Sequence, residues 1–192
     1  MHNNNFTMMF TKRFDYSDTD SETETDTLIH ASDNGNIDIV HALLATDVAI
    51  DAVTDTGDTA LLCASCNGHI EVVRALLTAR ANMDIKNNYG ATALLCASCN
   101  GDVYVVQALL VAGANVDIKN RFGTTALSAA KEGLMFDNLS SGTASDYTHI
   151  IKLLTMHEHM AAFRIHRFWR DVCFNPVYSH ARAKLLGQLE NM

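Results

Sequence analysis

Between Thr59 and Leu77 the apolar and polar positions fall into two short helical patterns. The first starts at Thr59, carries Leu61, Leu62, Ala64 and Ser65, and breaks at Asn67-Gly68. Glycine suits that break, because a helix C-terminus often needs a residue at positive φ. The second sets Ile70, Val72, Val73, Leu76 and Leu77 at three- and four-residue steps, which predicts a helix with one buried stripe. Ala81 to Gly90 then reads as an extended connector ending in a turn. The small residues Ala64, Ser65, Ala97 and Ala130 let paired helices approach closely.

The pattern returns every 33 residues, marked by Gly57, Gly90 and Gly123. From Gly57 to Lys86 and from Gly90 to Lys119, 22 of 30 aligned positions are identical. Such a period signals stacked units, each too small to bury its own apolar face. A degenerate first unit precedes them, with Leu28-Ile29-His30-Ala31, Gly35, Ile39-Val40 and Leu43-Leu44. A fourth opens at Gly123-Thr-Thr-Ala-Leu and breaks after Gly133 into an insertion near 136–146. Ile150-Ile151-Lys152-Leu153-Leu154 then resumes the second-helix pattern. The expected fold is an all-α solenoid of helix-turn-helix units with hairpin-like connectors and a C-terminal helical extension. Residues 1–22 form an acidic Ser/Thr-rich segment expected to be disordered. Residues 23–156 form the four units, and 157–192 a basic amphipathic tail.

Thr59-Ala-Leu-Leu-Cys-Ala-Ser-Cys-Asn-Gly-His69, followed by Glu71-Val-Val-Arg-Ala-Leu-Leu77 and Ala81-Asn-Met-Asp84, resembles the ankyrin repeat family over about 23–156. The family pattern has Pro where Ala60 stands, His at Leu62 and Gly at Arg80, whereas Gly113 keeps that glycine. Loss of the Pro and His implies weaker helix-start order and weaker hydrogen bonding between repeats. The resemblance implies a non-catalytic protein-interaction module that binds through the turn tips and the concave face of the first helices. Carried onto this chain, the contacts are Thr56, Asp58, Cys66, Asn67, Asn88, Tyr89, Ala91, Cys99, Asn100, Arg121, Phe122 and Thr124. Tyr89, Arg121 and Phe122 stand out, because aromatic and arginine side chains dominate interface energetics.

Net charge is -8, with +3 in residues 161–192 and therefore -11 before them. An acidic body argues against nucleic-acid binding, which needs concentrated Lys and Arg. No apolar run resembles a secretory or membrane-spanning segment. Five cysteines, an odd number, point to a reducing compartment, cytosol or nucleus. The chain is expected to be monomeric.

Cys63-Ala-Ser-Cys66 and Cys96-Ala-Ser-Cys99 imitate paired metal or redox motifs. Equivalent positions on stacked helices lie roughly 8–10 Å apart, too far for a shared zinc ion or a disulfide. They read as small apolar fillers, with Cys66 and Cys99 the more exposed pair. His149, His157, His159 and His166 complete no ligand spacing, and no phosphate-binding or nucleophile motif occurs. Neither enzymatic activity nor a cofactor or metal is expected. Ser17, Thr19, Ser21 and Thr23 each precede an acid by three residues, a pattern of acid-directed phosphorylation or of a plain solvated tail.

In the tail, Ala161, Ala162, Ile165, Phe168, Trp169, Val172 and Cys173 fall at helical spacing, with Arg164, Arg167 and Arg170 opposite. Asn175-Pro176 ends that stretch. Ile165 to Arg170 loosely resembles an IQ motif, with His166 and Asp171 departing from it. Three readings stay open: a cap on the last repeat, a recruiting helix, and a membrane-surface helix. A recruiting helix, contacting through Ile165, Phe168, Trp169, Arg164, Arg167 and Arg170, makes the chain a two-ended adaptor. Its second partner is then a calmodulin-like EF-hand protein or a ubiquitin-ligase component.

Overall fold

The computed structural model describes residues 24–135 and 143–162, with side chains of the last five helical residues left out. The N-terminal segment, most of the insertion and the tail, including Ile165, Phe168, Trp169 and their arginines, lie outside the described residues. Helices come in pairs: α1 Glu24–Asp33 with α2 Ile37–Leu44, α3 Ala60–Cys66 with α4 Ile70–Thr78, α5 Ala93–Asn100 with α6 Val103–Ala112, and α7 Ala126–Met135 with α8 Ala144–Ala162. First helices pack on first helices, second on second, and partners within each pair on each other. The all-helical solenoid expected from the period is what forms.

Threonine starts the first helices. Thr59 Oγ1 accepts the Leu62 amide at 3.2 Å, and Thr92 Oγ1 accepts the Leu95 amide at 3.4 Å. Thr125 repeats the contact with the Ser128 amide at 3.3 Å. Each bond satisfies one of the orphan donors of a helix N-terminus. Gly68 and Gly101 sit at φ 72° and 80° and turn the chain into the next helix. The fourth unit has Leu134 at this position, and α7 runs on to Met135.

The main core collects the inward stripes of all four pairs, from Leu28 and Val40 through Leu61, Val73, Leu76, Leu94, Val106 and Leu109 to Tyr147, Ile150 and Leu154. A smaller cluster holds Leu62, Ala91, Leu95, Cys96, Cys99 and Ala129, with Cys66 against it. Leu62 and Leu95 occupy the family's histidine position and are 3% and 1% exposed. Apolar burial therefore occupies the place of the polar contact expected there. Ser32, Ser65 and Ser98 recur at the 33-residue period with buried hydroxyls that meet no hydrogen-bond partner. Small size, not hydrogen bonding, accounts for serine at these helix contacts.

The fourth unit departs most from the pattern. Helix α8 starts at a Thr143–Asp146 box, in which the Thr143 amide and hydroxyl donate to the carboxylate at 2.9 and 2.7 Å. Asp146 returns the contact through its own amide, and these bonds hold its pKa below the ordinary range. The helix thus begins inside the expected insertion, ahead of Ile150. Tyr147, fully buried, lies over Gly133 and donates to the Cys99 carbonyl at 2.8 Å. A Cβ on Gly133 would collide with the Tyr147 ring. This one side chain ties α8 to both α7 and α5. Helix α8 extends for 19 residues, against 8, 9 and 10 in α2, α4 and α6.

Among the described residues Arg80 is the non-glycine residue at positive φ, 66°, at a helix end where Gly113 sits at 98°. A left-handed L-residue costs roughly 1 kcal/mol more than glycine in the same place. Arg80→Gly is expected to stabilise the fold by about 1 kcal/mol, read as a shifted denaturant midpoint with unchanged slope. A lowered midpoint would show that the Arg80 side chain contributes more than its backbone costs.

Candidate functional site

Three turn tips, 54–58, 87–91 and 120–124, form a row along one edge of the stack. Each closes in the same way. The Thr54, Asn87 and Asn120 amides donate four residues ahead to Asp58, Ala91 and Thr124, at 3.0–3.1 Å. Gly57, Gly90 and Gly123 donate back across each turn at 2.8–3.1 Å. Asn87 Oδ1 accepts the Tyr89 and Ala91 amides, and Asn120 Oδ1 accepts the Phe122 and Thr124 amides. Thr54 Oγ1 takes the Asp58 amide in the first tip. Local side-chain bonds of this kind are why Asn and Thr favour turns.

Neighbouring tips are joined by backbone. The Asn88 amide donates to Thr56 O at 2.9 Å, and the Arg121 amide to Tyr89 O at 3.0 Å. Gly57 and Gly90 pack beneath the following tip, where a Cβ would come within about 3 Å of backbone. A rigid row results, and it projects Thr56, Tyr89 and Phe122 at matching places. Tyr89 is 37% and Phe122 59% exposed, with Arg121 and Asn88 exposed beside them.

The remaining expected contacts divide. Thr56, Asp58 and Thr124 are at the tips, with Thr56 bonded to Asp58 Oδ2 at 2.6 Å. Asn67 Nδ2 donates to Asp33 Oδ1 at 2.7 Å and Asn100 Nδ2 to the Cys66 carbonyl at 2.6 Å, so both tie first helices together. Ala91 and Cys99 are 3% and 8% exposed and present no side-chain surface, which corrects their place in the expected contact set. The family resemblance placed them at the surface, and it does not show how closely the first helices of this chain stack. Val53 and Tyr104, 54% and 71% exposed, are apolar surface that the expected set omitted.

Asp58 has a structural duty. Asn87 Nδ2 donates to its Oδ1 at 2.8 Å, across two repeats. One period later the carboxylate is replaced by Ala91, and Asn120 Nδ2 is buried without a partner. Asp58→Ala would orphan Asn87 in the same way, and is expected to cost about 1–2 kcal/mol in a melting or denaturant experiment. Unchanged stability would free Asp58 for a purely external role.

The cysteines meet across repeats and not within a motif. Cys66 hydrogen-bonds the Cys96 thiol, and that contact together with burial raises its pKa well above the usual value. Burial, then the charge of Asp58, raises Cys63, and burial, then Cys66, raises Cys99. All three are held as thiols, poor nucleophiles and poor metal ligands at neutral pH. Among the described residues no three His, Cys, Asp or Glu side chains are grouped so as to hold a metal ion. No helix there is long and apolar enough to cross a membrane.

Beside the first-helix ends, Asp102 has its pKa raised to about 6, by burial first and then by Asp146, with His69 opposing. The folded state therefore keeps its proton to higher pH than the unfolded chain. Stability from this group is full below about pH 4, falls as pH rises toward 6, and stays lost above it. Asp102→Asn is expected to raise stability by about 1 kcal/mol above pH 6, after discounting for partial exposure, and to give no gain below pH 4. Melting temperature against pH for both proteins checks this, and a pH-independent difference would contradict it.

The family model described as Ankyrin repeats (3 copies) matches residues 6–88, 28–120 and 66–140. No curated protein matches the chain. Stacked helix pairs, glycine-ended helices, threonine starts and hydrogen-bonded turn tips agree with that match, and the chain belongs to the ankyrin repeat family.

Proposed function

We propose that this protein is a non-catalytic recognition module that binds a partner protein along the row of turn tips. Ankyrin repeats are generally protein–protein interaction modules. The observation that carries the reading for this chain is the pairing of Tyr89 and Phe122. They are exposed at equivalent places on consecutive tips, and the Arg121-to-Tyr89 backbone bond holds those tips in register. Exposed aromatics on rigid backbone lose little entropy when they bind, and with Arg121 they are the residue types that dominate interface hot spots. Thr56, Asn88 and Thr124 supply the polar surround.

Contact through the tips needs no cavity and no reactive group. Cys63, Cys66 and Cys99 are held as thiols, Cys63 in the main core and the other two in or against the smaller cluster. Asp102, shifted toward neutrality, belongs to a helix junction away from the tips.

The double change Tyr89→Ala, Phe122→Ala is expected to abolish partner capture from cell extract, at least a hundredfold in affinity. The helical circular dichroism spectrum should be unchanged, since both side chains are exposed. Capture of the same partners at the same affinity would remove the tips from the binding surface.

A further inference from the structure

The row of tips has an open edge. At each internal junction the following connector gives two amides to the one before it. Asn82 N donates to Asp51 Oδ1 at 2.8 Å and Asn88 N to Thr56 O at 2.9 Å. Asn115 N donates to Asp84 Oδ1 and Arg121 N to Tyr89 O, both at 3.0 Å. The next acceptors in the series are the Asp117 carboxylate and the Phe122 carbonyl. Helix α8 continues to Ala162 where the earlier units turn back, so among the described residues no fourth connector reaches them. Among the described residues nothing lies within 4 Å of a Cβ built on Gly123, whereas Gly57 and Gly90 are covered.

The complementary edge is at the other end of the same chain. The first connector carries the equivalent amides, Ala49 and Asp55, exposed and bonded to nothing among the described residues. Their spacing and turn match those of the connectors that fill the internal junctions. Beside that edge Ile39 is 44% exposed, although its equivalents Val72 and Val105 are each 1% exposed under a preceding unit. At the far end Leu134 and Met135 are 36% and 79% exposed. Charge has the matching asymmetry. The first connector carries Asp47, Asp51, Asp55 and Asp58 and no Lys or Arg, whereas the last carries Lys119 and Arg121 against Asp117.

We propose that the open edge at Asp117 and Phe122 receives the first connector of a second copy of this chain, so that copies associate head to tail. Charge decides between a second copy and the chain's own C-terminal residues. Residues 163–192 are basic, like the edge that carries Lys119 and Arg121, whereas the first connector is acidic. The contact joins unlike surfaces and does not close on itself, so it builds short linear assemblies and not a symmetric dimer. This departs from the monomer expected from the sequence.

Sedimentation velocity of the full chain tests it. The weight-average mass is expected to rise with protein concentration into the high-micromolar range and to fall at about 0.5 M salt, where the charge attraction is screened. Asp55→Pro deletes one edge amide at a turn position that accepts proline, and should weaken association about tenfold. A mass that stays monomeric throughout overturns the proposal, as does an Asp55→Pro protein that associates as well as the original. Cross-links from the Phe122 edge to residues 163–192 of the same chain would also overturn it. If Asp55→Pro loses its helical signal, chains bearing Asp55→Cys and Phe122→Cys are mixed with glutathione disulfide. A 55–122 disulfide between copies supports the contact, and its absence refutes it.

Discussion

A helix pair of this chain buries its apolar stripe only when another pair lies against it. Val72 and Val105 are fully covered because a unit precedes them, and Ile39 at the same position of the first unit is not. The tip glycines report the same dependence through the backbone. Gly57 and Gly90 lie directly beneath the next connector, and Gly123 meets none among the described residues. Stability in such a stack is approximately a sum of weak units and the junctions between them. A change at one junction therefore acts on two units.

Polar groups in this stack do positional work. Asn87 and Asn120 each gather two amides of their own turn, which leaves the tips rigid without a β-sheet to hold them. Asn67 and Asn100 bridge neighbouring first helices, and His69 Nε2 lies 2.9 Å from the Asp33 carbonyl in the same line. Where the period loses a partner, an uncompensated group remains, as at Asn120 beside Ala91.

Tip rigidity links this architecture to recognition. A surface built from repeated turns presents different side chains at equivalent points, and here the series Thr56, Tyr89, Phe122 becomes more apolar along the stack. The fourth unit ends that series. With Tyr147 anchoring α8 over Gly133 and onto the Cys99 carbonyl, the outer helix is committed to packing and continues past the point where a connector would begin. One buried tyrosine thus ties the last helix to both α7 and α5.

Much of this was legible in the sequence. The 33-residue period, the helix breaks at Gly68 and Gly101, the Thr59 start and the stripe from Ile70 to Leu77 depend on local geometry and spacing, which a sequence displays directly. Arg80 could be recognised as a departure for the same reason. Tertiary structure decided what depends on neighbours one period away. It withdrew Ala91 and Cys99 from the surface, assigned Asn67 and Asn100 to bonds between helices, and paired Cys66 with Cys96 instead of within either motif. It started α8 within the expected insertion, because the Thr143–Asp146 box and the Tyr147 contact act before the apolar run begins. A repeating sequence determines what each unit is, and the distances between units, set by packing, determine which of its side chains remain at the surface.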